Sequence, residues 1–127
     1  MPWIRLENYL NCEKIVELIS YQDFLKINIC VGTVLTAVES SDLKKPSIIL
    51  TIDFGKNIGI KKSSAQLKAN YNCQDLLNKQ IVAVLNFPAK QIGNLISEVL
   101  VLGFPDDNNE PILISPESEI ENGKKLY

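Results

Sequence analysis

The densest group of side chains that can contact a ligand lies in residues 61–66. Lysine ammonium groups contact phosphates, and serine hydroxyls and glutamine amides form hydrogen bonds with nucleic-acid or peptide groups. Such a run at the end of a predicted strand indicates a binding site for RNA or a peptide, although an ordinary solvated strand end has the same composition. The candidate residues are Lys61, Lys62, Ser63, Ser64 and Gln66.

A second group of candidates follows the next long apolar run. Asn86 is able to read a base edge or bond a peptide backbone, or alternatively to cap the following turn. Lys90 and Gln91 are predicted to lie on a loop, where binding residues concentrate. Ser97 begins a predicted strand beside that loop, and Glu98, which would repel phosphate, is predicted to be a structural residue or to orient Lys90.

The composition argues against catalysis. The 127 residues include no histidine, which removes the commonest general base and the commonest metal ligand. Neither a clustered acidic motif nor a G-x-x-x-x-G-K-[ST] phosphate loop is present. The cysteines match no metal-binding spacing, and Cys30 and Cys73 are expected to be small buried side chains. We therefore expect a non-catalytic protein with no metal and no cofactor.

The charged residues are segregated along the chain. Residues 56–90 hold six lysines against one acid, whereas residues 98–121 hold seven acids and no base, within a net charge of −2. This asymmetry favours one face adapted to a polyanion, although lysines at strand edges also deter aggregation. No apolar run is long enough to span a bilayer, and no apolar leader is present, so we expect a cytoplasmic protein without membrane insertion.

The first 20 residues predict a helical extension, ahead of a domain over residues 21–127. Cys12, Ile15 and Ile19 fall on one face of a helix, together with Val16. The run 20–23 has the spacing of a capping box, which predicts a short helix that carries its apolar residues 24 and 25 inward.

The rest of the chain predicts an all-β fold with short helices. The first strand has a glycine at position 32, where a bend would let it pair with both halves of a barrel. A short helix over 74–79, with Leu76 and Leu77 packing inward, separates the third and fourth strands. Such an order is that of a five-stranded OB-fold barrel. The five predicted strands are 27–38, 46–54, 58–64, 81–87 and 99–104.

Several sequence blocks together resemble the free-standing tRNA-binding-domain family of OB-fold proteins, and within it the export-related chaperone branch. The resemblance covers about residues 22–127. The blocks that carry it are Asp23-Phe24, Ile29-Cys30-Val31-Gly32, Ile52-Asp53-Phe54-Gly55, Lys61 to Gln66, Asn86-Phe87-Pro88, Ser97-Glu98-Val99-Leu100 and Asn122-Gly123.

The resemblance implies a homodimer with a binding function, whose partners are unfolded or export-bound polypeptides, tRNA and the preprotein translocase motor. Many relatives carry a basic residue where Cys30 and Ile96 stand here. The resulting loss of charge from the presumed RNA face favours a chaperone over a tRNA-binding protein that recognises RNA shape and exposed bases. A structural dimeric partner of a larger complex is a third possibility.

Overall fold

The computed structural model describes residues 17–40 and 46–127. Helix α1 (Tyr21–Leu25) begins at the predicted capping box, in which Ser20 Oγ accepts a hydrogen bond from Asp23 N at 3.1 Å and Asp23 Oδ2 accepts one from Ser20 N at 3.2 Å. Phe24 is half-buried, but Leu25 is exposed, so the prediction that both pack inward was wrong for Leu25. A helix of this length that lies on the surface can bury only one side. The predicted helical face at Cys12, Ile15 and Val16 lies outside the described residues. Its last member, Ile19, is described, and the prediction was wrong there because Ile19 is 72% exposed and precedes the helix.

Nine strands and a second short helix follow in the described part of the chain. They are β1 (Ile29–Ser40), β2 (Ser47–Asp53), β3 (Ile60–Ala65), α2 (Cys73–Leu76), β4 (Gln80–Val84), β5 (Lys90–Ile92), β6 (Leu95–Ser97), β7 (Leu100–Val101), β8 (Gly103–Pro105) and β9 (Pro111–Leu113).

Five of these strands form one antiparallel sheet in the order β3-β2-β1-β4-β7, which confirms the predicted all-β, OB-type architecture. The first strand pairs with β4 through its first half and with β2 through its second half. Its pairing with β2 shifts register between Val34 and Thr36. We predicted this irregularity at Gly32, but it lies further along the strand. Gly32 instead provides space, because a Cβ there would lie 2.7 Å from side-chain atoms of Ile52 and Phe54.

The core lies on the concave side of this sheet. Alternation along β2 buries Ile48, Leu50 and Ile52 completely. Leu76 of α2 is also fully buried, whereas Leu77 is 45% exposed, so the inward packing predicted for Leu77 was wrong. The reason is that α2 ends at this point and the chain becomes extended at Leu77, with φ −62° and ψ 133°.

Two predicted strands differ from the observed ones. The fourth strand ends at Val84, and the predicted strand 99–104 is divided between β7, which pairs with β4, and β8, which pairs with β9. The sequence prediction also missed the β5–β6 hairpin, which turns at Gly93 with a φ of 60°. Lys90 and Gln91 therefore lie in a strand and not on the predicted loop.

The C-terminal segment closes the free edge of the first half of β1. Leu126 N donates to Ile29 O at 2.7 Å, and Val31 N donates to Lys124 O at 3.1 Å. The segment turns at Gly123, with a φ of +92°, where a Cβ would lie 2.5 Å from a backbone oxygen. The C-terminal segment is therefore joined to the sheet.

Candidate binding groove

An open groove of about 700 Å³ lies between the end of β3, the β5–β6 hairpin and the β8–β9 hairpin. Its apolar lining includes Phe87, Pro88, Ile92, Leu102 and Phe104. Polar and charged side chains line it as well, namely Ser64, Gln66, Lys90, Ser97, Glu98, Asn108, Asn109 and Glu110. A concave apolar surface with polar groups around it is the usual form of a binding site.

The groove brings together four of the nine side chains predicted to bind a ligand. Ser64, Gln66, Lys90 and Ser97 line it. Gln66 and Lys90 are exposed, while Ser64 and Ser97 are half-buried. The other five predicted residues do not line the groove. They are Lys61, Lys62, Ser63, Asn86 and Gln91.

Side chains from residues 97 and 98 complete the outer edge of β3. Ser97 Oγ accepts a hydrogen bond from Ser64 N at 3.1 Å, and Glu98 Oε1 accepts one from Lys62 N at 3.1 Å. Glu98 N donates to Lys62 O at 2.8 Å. The Glu98 carboxylate also lies 3.8 Å from Lys61 Nζ, with both side chains more than a third exposed. Glu98 therefore has a structural role at the edge of β3 and pairs with Lys61, whereas the alternative that it orients Lys90 was wrong.

The two serines of the first candidate group have different environments. Ser63 is 1% exposed, and its hydroxyl donates to Val99 O at 3.0 Å, so it joins β3 to Val99 within the wall of the barrel. Ser64 Oγ donates to Ser47 Oγ at 3.2 Å, and Ser64 lies at the groove. Successive side chains of a strand point to opposite faces, which explains why only one of the two reaches this surface.

Asn86 acts as a clamp between distant parts of the chain. Its Oδ1 accepts a hydrogen bond from Asn28 N at 2.8 Å, and its Nδ2 donates to Lys26 O at 2.7 Å. These two hydrogen bonds hold the connection between α1 and β1 against Asn86. The next residue, Phe87, lines the groove. Gln91 Nε2 donates within its own hairpin, to Gly93 O at 3.2 Å.

The two positions that lack the basic residue of many relatives differ in burial. Cys30 is 2% exposed, and its thiol contacts Asn28 Oδ1 at 3.3 Å. Burial raises the pKa of the Cys30 thiol, which disfavours a reactive thiolate. Cys30 belongs to the core, which confirms the expectation of a small buried side chain and makes the alternative of an RNA-facing position wrong. Ile96 is 56% exposed and pairs across the hairpin with Gln91, so the apolar replacement there is on the surface.

The β8–β9 hairpin presents apolar side chains to solvent at the groove. Phe104 lines the groove and is 67% exposed, whereas Ile112, its partner across the hairpin, is 44% exposed and does not line the groove. From the sequence, Phe87 and Phe104 could stack on bases or lie in the core of the barrel, and the core is the predicted place. That prediction is wrong for Phe104 because its strand belongs to a separate two-stranded hairpin and not to the main sheet. Phe87, also predicted to lie in the core, is half-buried and lines the groove.

The loop between β8 and β9 is organised by one carboxylate. Asp106 Oδ2 accepts a hydrogen bond from Asn70 Nδ2 at 2.9 Å, and Oδ1 accepts from the backbone N–H groups of Asn108 and Glu110 at 2.8 and 2.9 Å. The side-chain bond from Asn70 and then the backbone bonds lower the pKa of Asp106 below its ordinary value of 3.8. This loop thereby holds the hairpin that carries Phe104.

Neither a metal site nor a membrane-spanning helix is found in residues 17–40 and 46–127. Within these ranges, no group of three or more histidine, cysteine, aspartate or glutamate residues is placed to hold a metal ion. The same ranges contain no helix that is long and apolar enough to cross a membrane.

Comparisons with known structures identify similar proteins that carry this fold. Chaperone CsaA from Bacillus anthracis str. Ames superposes with a TM-score of 0.82 at 42% identity, covering 87% of this chain and 100% of that one. The CsaA chaperone protein from Picrophilus torridus gives a TM-score of 0.80 at 45% identity, with the same coverage.

Curated relatives match over a small part of their own length. The methionine–tRNA ligase of Pyrococcus horikoshii is 29% identical over 114 residues, which are 90% of this chain and 15% of the ligase. The ligase of Parabacteroides distasonis is 27% identical over 121 residues, or 94% of this chain and 17% of the ligase. The chain thus spans about one sixth of the enzymes it matches.

Residues 29–125 match the family model described as "Putative tRNA binding domain". This family is a binding domain and not a catalytic one. The identity and fold shared with CsaA chaperones confirm the predicted resemblance to the chaperone branch. The chain therefore belongs to the tRNA-binding-domain family of OB-fold proteins.

Proposed function

We propose that this protein is a non-catalytic, homodimeric chaperone that binds unfolded or export-bound polypeptides in the cytoplasm through its groove. The observation that carries the proposal is the exposure of a large apolar side chain, that of Phe104, in the lining of a groove of about 700 Å³. Two similar structures of high identity are chaperone CsaA proteins, which supports the same reading.

The groove suits an extended polypeptide with apolar side chains. Covering a Phe or Ile side chain on binding is worth about 1.5 to 3 kcal/mol for full burial, so a few such contacts give a useful but reversible affinity. Ser64, Gln66, Lys90 and Ser97 are proposed to supply polar contacts to the peptide backbone. Binding of this kind needs no nucleotide, which agrees with the absence of a phosphate-binding loop from the sequence.

A second candidate function is tRNA binding, favoured by the matched family and by the lysines beside the groove. Lys61 and Lys62 lie on β3, and Lys90 lies on β5 at the groove. Against this candidate, Lys61 is paired with Glu98, and the chain carries a net charge of −2.

Binding measured across a salt series separates the two functions. The ligands are fluorescein-labelled, reduced and carboxymethylated lactalbumin, which stays unfolded, and unfractionated tRNA. The chaperone function predicts lactalbumin affinity that changes little with salt, whereas tRNA affinity should fall steeply through counterion release. Replacing Lys61, Lys62 and Lys90 by alanine should flatten any tRNA slope by up to about 0.9 per lost phosphate contact and leave lactalbumin binding nearly unchanged.

A matched control removes the same charge elsewhere, with Lys26, Lys68 and Lys124 replaced by alanine. If both triple variants lose tRNA affinity equally, the lysines beside the groove do not form the RNA site. If tRNA binds tightly and lactalbumin does not bind at all, the tRNA-binding function replaces the chaperone function.

The homodimer and the link to export are parts of the proposal with their own measurements. Two grooves in one dimer would hold one polypeptide at two points, which raises the overall affinity through effective concentration. Light scattering at micromolar concentration should give twice the mass of one chain, and a monomer contradicts this part. Co-purification with the preprotein translocase motor in the presence of a precursor tests the export role.

A further inference from the structure

The sequence contains a single Asn-Gly pair, Asn122-Gly123, and the fold places it where the C-terminal segment joins β1. Spontaneous deamidation of asparagine is fastest before glycine, because glycine has no side chain to hinder attack by its backbone nitrogen on the asparagine amide. Both residues of the pair are half-buried. A chemical change at this pair would therefore act on the attachment of the segment.

The fold holds both reacting groups of the pair in hydrogen bonds. Asn122 Oδ1 accepts one from Thr33 Oγ1 at 2.7 Å and one from Gln80 Nε2 at 3.1 Å. The nitrogen that would attack, Gly123 N, donates to Val31 O at 2.8 Å. These bonds fix the asparagine side chain and engage the N–H proton that the reaction has to remove. Deamidation therefore requires that the segment first separates from β1, which is a local opening of the native fold.

The space around the pair does not admit a longer main chain. A Cβ on Gly55 would lie 2.8 Å from Asn122 O, and a Cβ on Gly123 would lie 2.5 Å from a backbone oxygen, so other backbone approaches the pair closely. The next residue is also fixed, because Val31 N donates to Lys124 O at 3.1 Å. One additional main-chain atom within the pair would move Lys124 O away from this donor.

We propose that Asn122-Gly123 is a site of spontaneous deamidation, closed in the native fold, whose isoaspartate product releases the C-terminal segment from β1. In the open state, Gly123 N loses its proton to hydroxide and attacks Asn122 Cγ. The N–Cγ bond forms and the Cγ–Nδ2 bond breaks, and the leaving nitrogen takes a proton from water and departs as ammonia. Water then opens the resulting cyclic imide at Cγ to give aspartate, or at the main-chain carbonyl carbon to give isoaspartate, in which the main chain passes through Cβ and Cγ.

The two products have different effects on the sheet. The aspartate product keeps the original main chain, and its carboxylate can accept the same hydrogen bonds from Thr33 and Gln80, so the segment pairs again. Isoaspartate lengthens the main chain by one atom, and the segment cannot recover its register. The edge of β1 at Ile29 and Val31 then stays unpaired. An open strand edge is a template for pairing with another chain, so this product creates a site of association.

Mass spectrometry of the peptide that contains Asn122 measures the rate of deamidation in the full-length protein at neutral pH. The folded protein should react about tenfold or more slowly than the same protein unfolded in guanidinium chloride. Thr33→Val removes one hydrogen bond to Asn122 and should raise the folded rate about fivefold. The matched control is Thr36→Val, at an exposed position of the same strand, which should leave the rate unchanged. Equal rates in the folded and unfolded protein, equal rates in the two variants, or no deamidation in either state overturn the proposal.

Hydrogen exchange at the amides of Val31 and Leu126 measures the release of the segment, because both amides donate across its junction with β1. Wild-type protein enriched in isoaspartate by ageing in denaturant, then refolded, should exchange these amides about tenfold or more faster than Asn122→Asp, which has the same charge and a normal main chain. The amides of β2, in the middle of the main sheet, should be equally protected in both proteins. Equal exchange at the junction, or a loss of protection that extends to β2, contradicts a local release of the segment.

Discussion

Replacing Phe104 by serine should weaken client binding without loss of the fold. Phe104 is 67% exposed and lies on a two-stranded hairpin outside the main sheet, so its side chain contributes little to the core. A phenylalanine offers about 200 Å² of surface, of which roughly 130 Å² is open here, and at about 25 cal/mol per Å² full coverage is worth about 3 kcal/mol. That corresponds to a loss of up to about 100-fold in affinity, or about tenfold if a client covers half of the ring.

The assay is fluorescence anisotropy with labelled, unfolded lactalbumin, and urea unfolding of each variant verifies that stability is retained. Tyr127→Ser is the matched control, because Tyr127 is an aromatic residue at 101% exposure that does not line the groove. The two variants should differ by at least several-fold in affinity. Equal affinities would refute the assignment of client binding to the β8–β9 hairpin.

Three further predictions concern the groove and its supports. A residue with a side chain in the left-handed conformation costs roughly 1 to 2 kcal/mol. Gly123→Ala should destabilise the protein by more than this in urea unfolding, because its Cβ would also meet a backbone oxygen at 2.5 Å. Gly59→Ala, at a φ of +89° with nothing within 4 Å of its Cβ, should show the conformational cost alone. Glu98→Gln should strengthen tRNA binding in a filter assay by releasing Lys61, and it should change the free energy of unfolding by less than about 1 kcal/mol; unchanged affinity would contradict a role for that lysine. The hydrogen bonds that lower the pKa of Asp106 stabilise the fold fully above the ordinary pKa of 3.8, and this stability is lost as the pH falls through the lowered pKa. Asp106→Asn lacks this titration, so its thermal stability should fall less between pH 6 and pH 3 than that of the wild type.

The main sheet was predictable from the sequence because its strands bury one face. Alternation in β2 and the dense apolar run of β4 follow directly from contact with the core, and β1 pairs with both halves as expected. The β5–β6 hairpin was not predicted because each of its strands has only three residues, which is too few to show an alternating pattern. Its one local signal is the Gly93-Asn94 turn between Ile92 and Leu95.

The binding groove was only partly predictable because three separate elements build it. Lys90 and Ser97 were found as polar residues near a turn, but Phe104 was assigned to the core because its hairpin could not be separated from β7 by pattern alone. The adjacent serines Ser63 and Ser64 were treated alike, although the two-residue period of a strand places them on opposite faces. Local propensity thus identifies the residue types of a site better than it identifies their direction.

The attachment of the C-terminal segment to β1 has a consequence for the order of folding. Residues near the two ends of the domain meet there, and the hydrogen bond from Lys125 Nζ to Leu25 O joins positions separated by 100 residues. Contacts between residues so far apart in sequence form late, because the chain must lose the entropy of closing the loop before the contacts lower its free energy. At a synthesis rate of about 5 to 20 residues per second, the edge of β1 at Ile29 and Val31 stays unpaired for roughly 5 to 20 s on the ribosome. During that interval the nascent chain itself carries an open strand edge, the same aggregation hazard from which a chaperone protects other proteins.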